Sequence, residues 1–375
     1  MIRRPIAFCL SFVLILLALC ACATSGNVAL KATPVSHDEK FGGVYIQITD
    51  ADFLKLGFEY GDSVDVVFSN GTEMRDLPYY NGYYVDMGQP LLVGYPGYPY
   101  IRVGINYGDD LWVIKQLDEQ CTATVTLREA AKYLNVQQMN NLEYPEEQEM
   151  LSDVVFANFR AANAGNLKKN ILYRSASPCN NEHHRAAVTD RLASQAGIRT
   201  ILNLSETDDE INAFIAAEDF NSPYFLSLYR EDAVIALGLS ANFRSEEFRT
   251  RLASGLTELA QCDGPFLVHC VEGKDRTGYV MMLLEALAGA SYDEIIDDYM
   301  LTYDNYYQIN LDTYEDMYFT IKTRNIDAML LYVTGVEDIG ELKNASLDTY
   351  VIRALVSMGM KEEDVNLLKE KLTAG

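Results

Sequence analysis

Hydrophobic positions change their spacing along the chain, and each spacing predicts a different kind of structure. Pro5 to Leu19 is a nearly unbroken apolar run behind the basic head Met1-Ile2-Arg3-Arg4, the order of a secretion signal. From Lys31 to Thr124 the apolar residues come in short runs: Val44 to Ile48, Val64 to Phe68, Tyr83 to Asp86, Ile101 to Ile105 and Leu111 to Ile114. Such runs read as strands, and Asn70-Gly71 and Asn81-Gly82 read as hairpin turns between them. Thr126-Leu-Arg-Glu129 has the order of a capping box and predicts a helix to about Leu134.

After a polar, acidic stretch at 137–150, strands alternate with helical periods. Ile198 to Leu204, Tyr224 to Tyr229 and Phe266 to Val268 read as strands. Val188 to Gly197 and Tyr279 to Ala290 read as helices, Ser291-Tyr-Asp-Glu294 caps another, and Leu347 to Met358 and Glu362 to Leu372 close the chain. The expected organisation is a signal segment at 1–22, a small β-rich module at 23–136, a linker at 137–150, and an α/β domain at 151–375 with a central sheet flanked by helices.

Chemistry concentrates where the apolar strand at 266–268 runs into His-Cys-Val-Glu-Gly-Lys-Asp-Arg-Thr-Gly, residues 269 to 278. A loop between a strand and a helix N-terminus presents N–H groups and a positive dipole end to an anion. A cysteine at its base is a nucleophile in the thiolate form, which such surroundings favour. Arg276 offers a planar fork to two phosphate oxygens, a geometry that lysine lacks. Gly273 and Gly278 allow tight bends and close approach. Thr277 is placed to hydrogen-bond the Cys270 sulfur and ease its departure, and His269 to prop the loop from behind.

His-Cys-x5-Arg-Thr-Gly resembles the signature of the protein tyrosine phosphatase superfamily, and the inner residues Gly-Lys-Asp-Arg-Thr resemble its secreted bacterial members. The resemblance implies a phosphomonoester hydrolase working through a phosphocysteine on Cys270, with no metal or other cofactor. Val271, Glu272, Gly273 and Lys274 would then line the phosphate site. A lysine at 274 also resembles phosphoinositide phosphatases, so an inositol phosphate or phosphoinositide is the alternative to a phosphotyrosine protein. A phosphate-ester-binding surface protein without turnover is a third reading. The acid that protonates the leaving oxygen is expected to be Asp275 in the loop or, second, Asp232, 38 residues before the cysteine. Asn158-Phe159-Arg160 and Leu172-Tyr-Arg-Ser175 resemble the opening of the bacterial domain. Arg174 then lines the pocket rim or makes a structural salt bridge.

The remaining signals bear on location and partners. Leu19-Cys20-Ala21-Cys22 resembles a bacterial lipobox, which implies lipidation of Cys22 and anchoring on the outer face of the cytoplasmic membrane; an uncleaved signal anchor is the alternative. A formal charge of −24 argues against nucleic acid and anionic membrane surfaces as partners. Cys121, Cys179, Cys262 and Cys270 remain outside the signal segment, and with one of them the nucleophile no disulfide framework is expected. His183, His184 and Cys179 lack the fourth ligand and spacing of a structural zinc site. Tyr79, Tyr80, Tyr83, Tyr84, Tyr95, Tyr98 and Tyr100 form either a ligand face or ordinary strand and turn packing.

Overall fold

The computed structural model describes residues 28–144 and 151–374, which divide into two compact units at Gln137/Gln138. The expected signal segment and Cys22 lie outside the described residues, as do 145–150 of the expected linker.

The first unit is a closed barrel of β1 (Ala29–Asp38), β2 (Gly43–Ile46), β3 (Ser63–Phe68), β4 (Glu73–Tyr80), β5 (Pro90–Val93), β6 (Ile101–Ile105) and β7 (Thr122–Glu129). Strand order is β1-β2-β6-β5-β4-β3-β7, with β7 returning to β1. Alternate residues point inward: Val64, Val66 and Phe68 on β3 meet Ala123 and Val125 on β7 in one core. Helices α1 (Asp50–Lys55), α2 (Leu111–Ile114) and α3 (Leu134–Met139) complete the unit, and the division between units falls within α3. Leu111 to Ile114 is therefore one helical turn rather than a strand, because Asp110 accepts from Trp112 N at 2.9 Å and caps it. Thr126 to Glu129 ends a strand rather than opening a helix, since the alternation Thr122-Ala-Thr-Val-Thr126 pairs with β3 and β1.

The tyrosines of this unit are largely occupied in packing. Tyr79 and Tyr60 both donate to Asp50 at 2.5 Å, and Tyr83 bonds Tyr98 and the buried Arg102. Arg102 is further paired with Asp38 at 2.7 Å.

The second unit holds a five-stranded sheet built from β8 (Arg160–Ala161), β9 (Leu172–Ser175), β10 (Thr200–Asn203), β11 (Val234–Ala236) and β12 (Phe266–His269). Its order is β11-β10-β12-β9-β8, parallel except for β8. Its helices are α4 (Asp153–Phe156), α5 (Ala186–Ala196), α6 (Asp208–Ile215), α7 (Pro223–Arg230), α8 (Glu246–Gln261), α9 (Asp275–Leu287), α10 (Tyr292–Tyr307), α11 (Glu315–Ile321), α12 (Ala328–Thr334), α13 (Leu347–Met358) and α14 (Glu362–Leu372). This is the expected α/β architecture. Central strand β12 sends Phe266 and Val268 to a core with α8, α9 and α13, and Leu267 to a second core with α5 and α7. Helix α9 is buried from Thr277 to Leu287, which is why its sequence is apolar on every face.

One element of the second unit differs from expectation. Tyr224 to Tyr229 lies in α7, not in a strand: Pro223 occupies the first helical turn, where its missing N–H costs nothing, and Phe225 and Leu228 share the buried face.

Candidate active site

All the parallel strands point their C-terminal ends the same way, and the 270–274 loop leaves β12 at that end. Cys270 is buried at its base. Lys274 stands at the N-terminus of α9, and no side chain caps that helix.

The loop's shape follows from where its carbonyls go. Cys270 O accepts from His269 Nδ1 at 3.2 Å, and Val271 O from Ser177 N at 2.9 Å. Glu272 O accepts from Tyr306 OH at 2.6 Å, and Gly273 O from Arg174 Nη2 at 2.7 Å and Asn158 Nδ2 at 3.2 Å. A trans peptide sets each C=O opposite the next N–H. Four carbonyls drawn outward thus turn the N–H groups of Val271, Glu272, Gly273 and Lys274 toward the inside of the loop. Among the described residues none of those N–H groups has a hydrogen-bond acceptor. The product is a concave array of donors around a sulfur, suited to a tetrahedral oxyanion. Gly273 has φ +68°, and a Cβ there would lie 2.1 Å from Ser175 O.

Behind the loop lies a buried charge cluster. Asp298 on α10 binds Arg160 at 2.8 Å and Arg174 at 2.5 Å. Asn158 bridges Gly273 O to Thr302 Oγ1, and Asn305 donates to Asn158. Asp298, Thr302, Asn305 and Tyr306 thus form one face of α10 that backs the loop. Burial raises the Asp298 carboxyl, but the two guanidiniums overcome it and hold it well below the usual range. Glu285, fully buried beside them, is raised well above the usual carboxylate range by burial and by the Asp298 charge.

The sequence-predicted residues fall into place unevenly. Arg276 sits six residues after Cys270, with Nη1 donating to Leu239 O at 2.8 Å in the segment between β11 and α8. His269 is buried and kept neutral, since burial lowers its pKa; Nδ1 serves the Cys270 carbonyl. Thr277 is buried, but among the described residues its Oγ1 has no hydrogen-bond partner, so the expected bond to the Cys270 sulfur is not made. Arg174 does not line a rim: it is fully buried and reaches the loop only through the Gly273 carbonyl. Asp275 is half exposed at the start of α9, 3.7 Å from Lys274.

Asp232 is not brought to the loop. It follows α7 and precedes β11, whereas Cys270 follows β12, and Ala236 is level with His269 across the parallel register. Asp232 therefore lies at the opposite end of the sheet. The segment leaving β11 on the cysteine side, Leu237 to Arg244, contains no Asp or Glu.

His183 and Cys179, set aside as a zinc site from sequence, have different partners. His183 faces Glu272 at 3.6 Å, and Cys179 is buried against Ser177 and Asn203 with its thiol pushed up by burial and by Glu206. The four described cysteines are free.

The sequence alone does not mark Asp298, Tyr306 or Tyr144 as site residues. The ring of Tyr144 packs on His183, Tyr306 and Tyr307, inside a stretch whose polarity reads as linker. The one signal for Tyr306 was its helical spacing with Tyr299 and Tyr303, which marks packing rather than a loop contact.

A family model described as "Tyrosine phosphatase family" matches residues 156–374. No curated protein matches the chain. Among solved structures, the core catalytic domain of the PP-IP phosphatase SIW14 from S. cerevisiae is 21% identical, over 44% of this chain and 91% of that one, with a TM-score of 0.27. TpbA of P. aeruginosa is 19% identical, over 46% of this chain and 94% of that one, with a TM-score of 0.26. An uncharacterized conserved protein from Thermotoga maritima is 22% identical at a TM-score of 0.22; the match spans 25% of this chain and 35% of that one.

Proposed function

Because the chain belongs to the tyrosine phosphatase family, we propose that it hydrolyses phosphotyrosine through a phosphocysteine intermediate on Cys270. The observation that carries this reading is the ring of outward-held carbonyls, which leaves inward N–H donors around a buried cysteine. In the first step Cys270 Sγ attacks phosphorus and the ester P–O bond breaks. Asp275 delivers a proton to the leaving phenolic oxygen, while Arg276 and the loop amides take up the charge on the three equatorial oxygens. In the second step water attacks the phosphocysteine, the P–S bond breaks, and Asp275 takes the proton from water.

An aryl monophosphate suits the loop better than an inositol polyphosphate. With Asp275 protonated as the acid, Glu272 offsets one of Lys274 and Arg276, so the loop side chains supply at most one net positive charge for further phosphates. Tyr144 and Tyr307 add aromatic surface beside it. The Gly-Lys-Asp-Arg-Thr loop supports a reading as the secreted bacterial type, and the apolar leader with Cys22 supports a lipid-anchored, exported location with the catalytic unit outside the membrane.

The test is hydrolysis of p-nitrophenyl phosphate by the full chain in EDTA, beside Cys270→Ser, followed by phosphotyrosine peptide against inositol hexakisphosphate. Cys270-dependent turnover that favours the peptide is expected. Preference for the inositol phosphate would replace the substrate, and phosphate binding without turnover would leave a surface binding protein.

A further inference from the structure

We infer that Tyr144, which lies before the stretch matched by the family, is a positioning residue of the catalytic loop and acts through Lys274. The inference rests on the phosphatase reading above and adds a residue to it. Lys274 Nζ lies 5.0 Å from the ring centre of Tyr144, 5.8 Å from Tyr303 and 5.9 Å from Tyr307. All three distances are within cation–π reach. Tyr303 and Tyr307 are one helical turn apart on α10, the helix that already backs the loop. Tyr144 is the wall that α10 does not supply.

Tyr144 is itself held firmly. Its ring packs on His183 at 5.0 Å, Tyr306 at 5.4 Å and Tyr307 at 5.5 Å, and the Arg185 guanidinium lies 5.6 Å from its centre. Tyr306 in turn donates to Glu272 O and His183 faces the Glu272 carboxylate, so the partners of Tyr144 are the partners of the loop.

The cage fixes an ammonium without consuming its donors. Ring faces attract the charge, whereas the three N–H bonds of Lys274 have no hydrogen-bond acceptor among the described residues, and Asp275 stands off at 3.7 Å. Its charged state is secure, because burial lowers the pKa but Asp275, with Tyr307 and Glu272, raises it further. Free in solution a lysine head samples many rotamers, and each phosphate bound would have to order it again. Held by three rings, it presents donors beside the phosphate site before substrate arrives.

The experiment is a double-mutant cycle in the full-length protein, combining Tyr144→Ala, Tyr144→Leu and Tyr144→Phe with Lys274→Met. The readouts are kcat and KM on a phosphotyrosine peptide, and the Kd of inorganic phosphate by calorimetry. Tyr144→Phe is expected to match wild type, because the ring face is kept. Tyr144→Ala and Tyr144→Leu are expected to raise KM and phosphate Kd together, by roughly 2- to 30-fold, with kcat little changed. In the Lys274→Met background the same changes should add nothing.

Full additivity with Lys274→Met would overturn the inference, as would a Tyr144→Leu protein that behaves as wild type, since the latter assigns Tyr144 to packing alone. The phosphate titration keeps this test separate from the substrate reading. A protein that binds phosphate in a Tyr144-dependent way but turns over no peptide would sink the proposed function and leave the positioning role standing.

Discussion

Arg174 Nη2 donates to the Gly273 carbonyl at 2.7 Å, so a guanidinium buried behind the loop sets its turn while the inward N–H groups face the other way. The same guanidinium binds Asp298 through Nη1. On the phosphatase reading, the chemistry proposed at Cys270 therefore rests on a carboxylate on α10 behind the loop.

Asp298→Asn should weaken the fold and the catalysis together. The change leaves Arg160 and Arg174 buried without their anion, a loss of about 3–5 kcal/mol for a broken buried pair. Urea unfolding would measure the first effect and kcat on phosphotyrosine peptide the second. An unchanged urea midpoint would mean that the pair is solvated and of little weight.

Gly273→Ala tests the cradle directly. The added methyl would meet Ser175 O at 2.1 Å on a backbone with positive φ, so the peptide must rotate and carry its N–H groups out of line. Loss of one donor from such an array costs on the order of 10²–10³ in kcat, and that range is expected here with the fold retained by circular dichroism.

The two aspartates separate by leaving group. Asp275→Asn should lower kcat/KM on phenyl phosphate by about 10²-fold or more and spare kcat/KM on p-nitrophenyl phosphate, whose phenol leaves unaided in the step that forms the phosphocysteine. Asp232→Asn should alter neither, because Asp232 lies at the far end of the sheet. A reversed pattern would return the acid role to Asp232.

Glu285 gives a pH signature. Its folded pKa is raised, by burial first and then by Asp298, so its contribution to stability is complete below its ordinary value of 4.5 and is lost as pH rises through the folded value. Asp298 runs the other way: its pKa is lowered, and its contribution is present above the ordinary 3.8 and lost as pH falls. Glu285→Gln stays neutral at every pH. Urea midpoints of wild type should fall relative to Glu285→Gln as pH is raised above 4.5, and parallel curves would show Glu285 ionised in the fold.

What could be read from sequence was what is local in sequence. The strand, cysteine loop and helix at 266–287 lie in one stretch, and the capping box at Ser291 and Glu294 is formed as its residues imply. The loop's tethers come from residues 158, 174, 177 and 306, and no spacing connects them; only the fold does. Tyr224 to Tyr229 was misread because aromatic residues favour strands, while the proline before them and the buried pair Phe225 and Leu228 were the helical signal. In Thr126 to Glu129 the opposite holds: a short capping pattern lies inside a β-branched alternation, and the alternation decides the structure. Tyr144 was hidden because a polar stretch with one aromatic residue has the composition of a linker.

The outward tethering of the loop carbonyls also bears on how a turnover ends. A mould cast by contacts outside the loop has the same form whether it holds an ester or inorganic phosphate. On the phosphatase reading the product leaves from the donors that received the substrate, so inorganic phosphate is expected to compete with substrate for them.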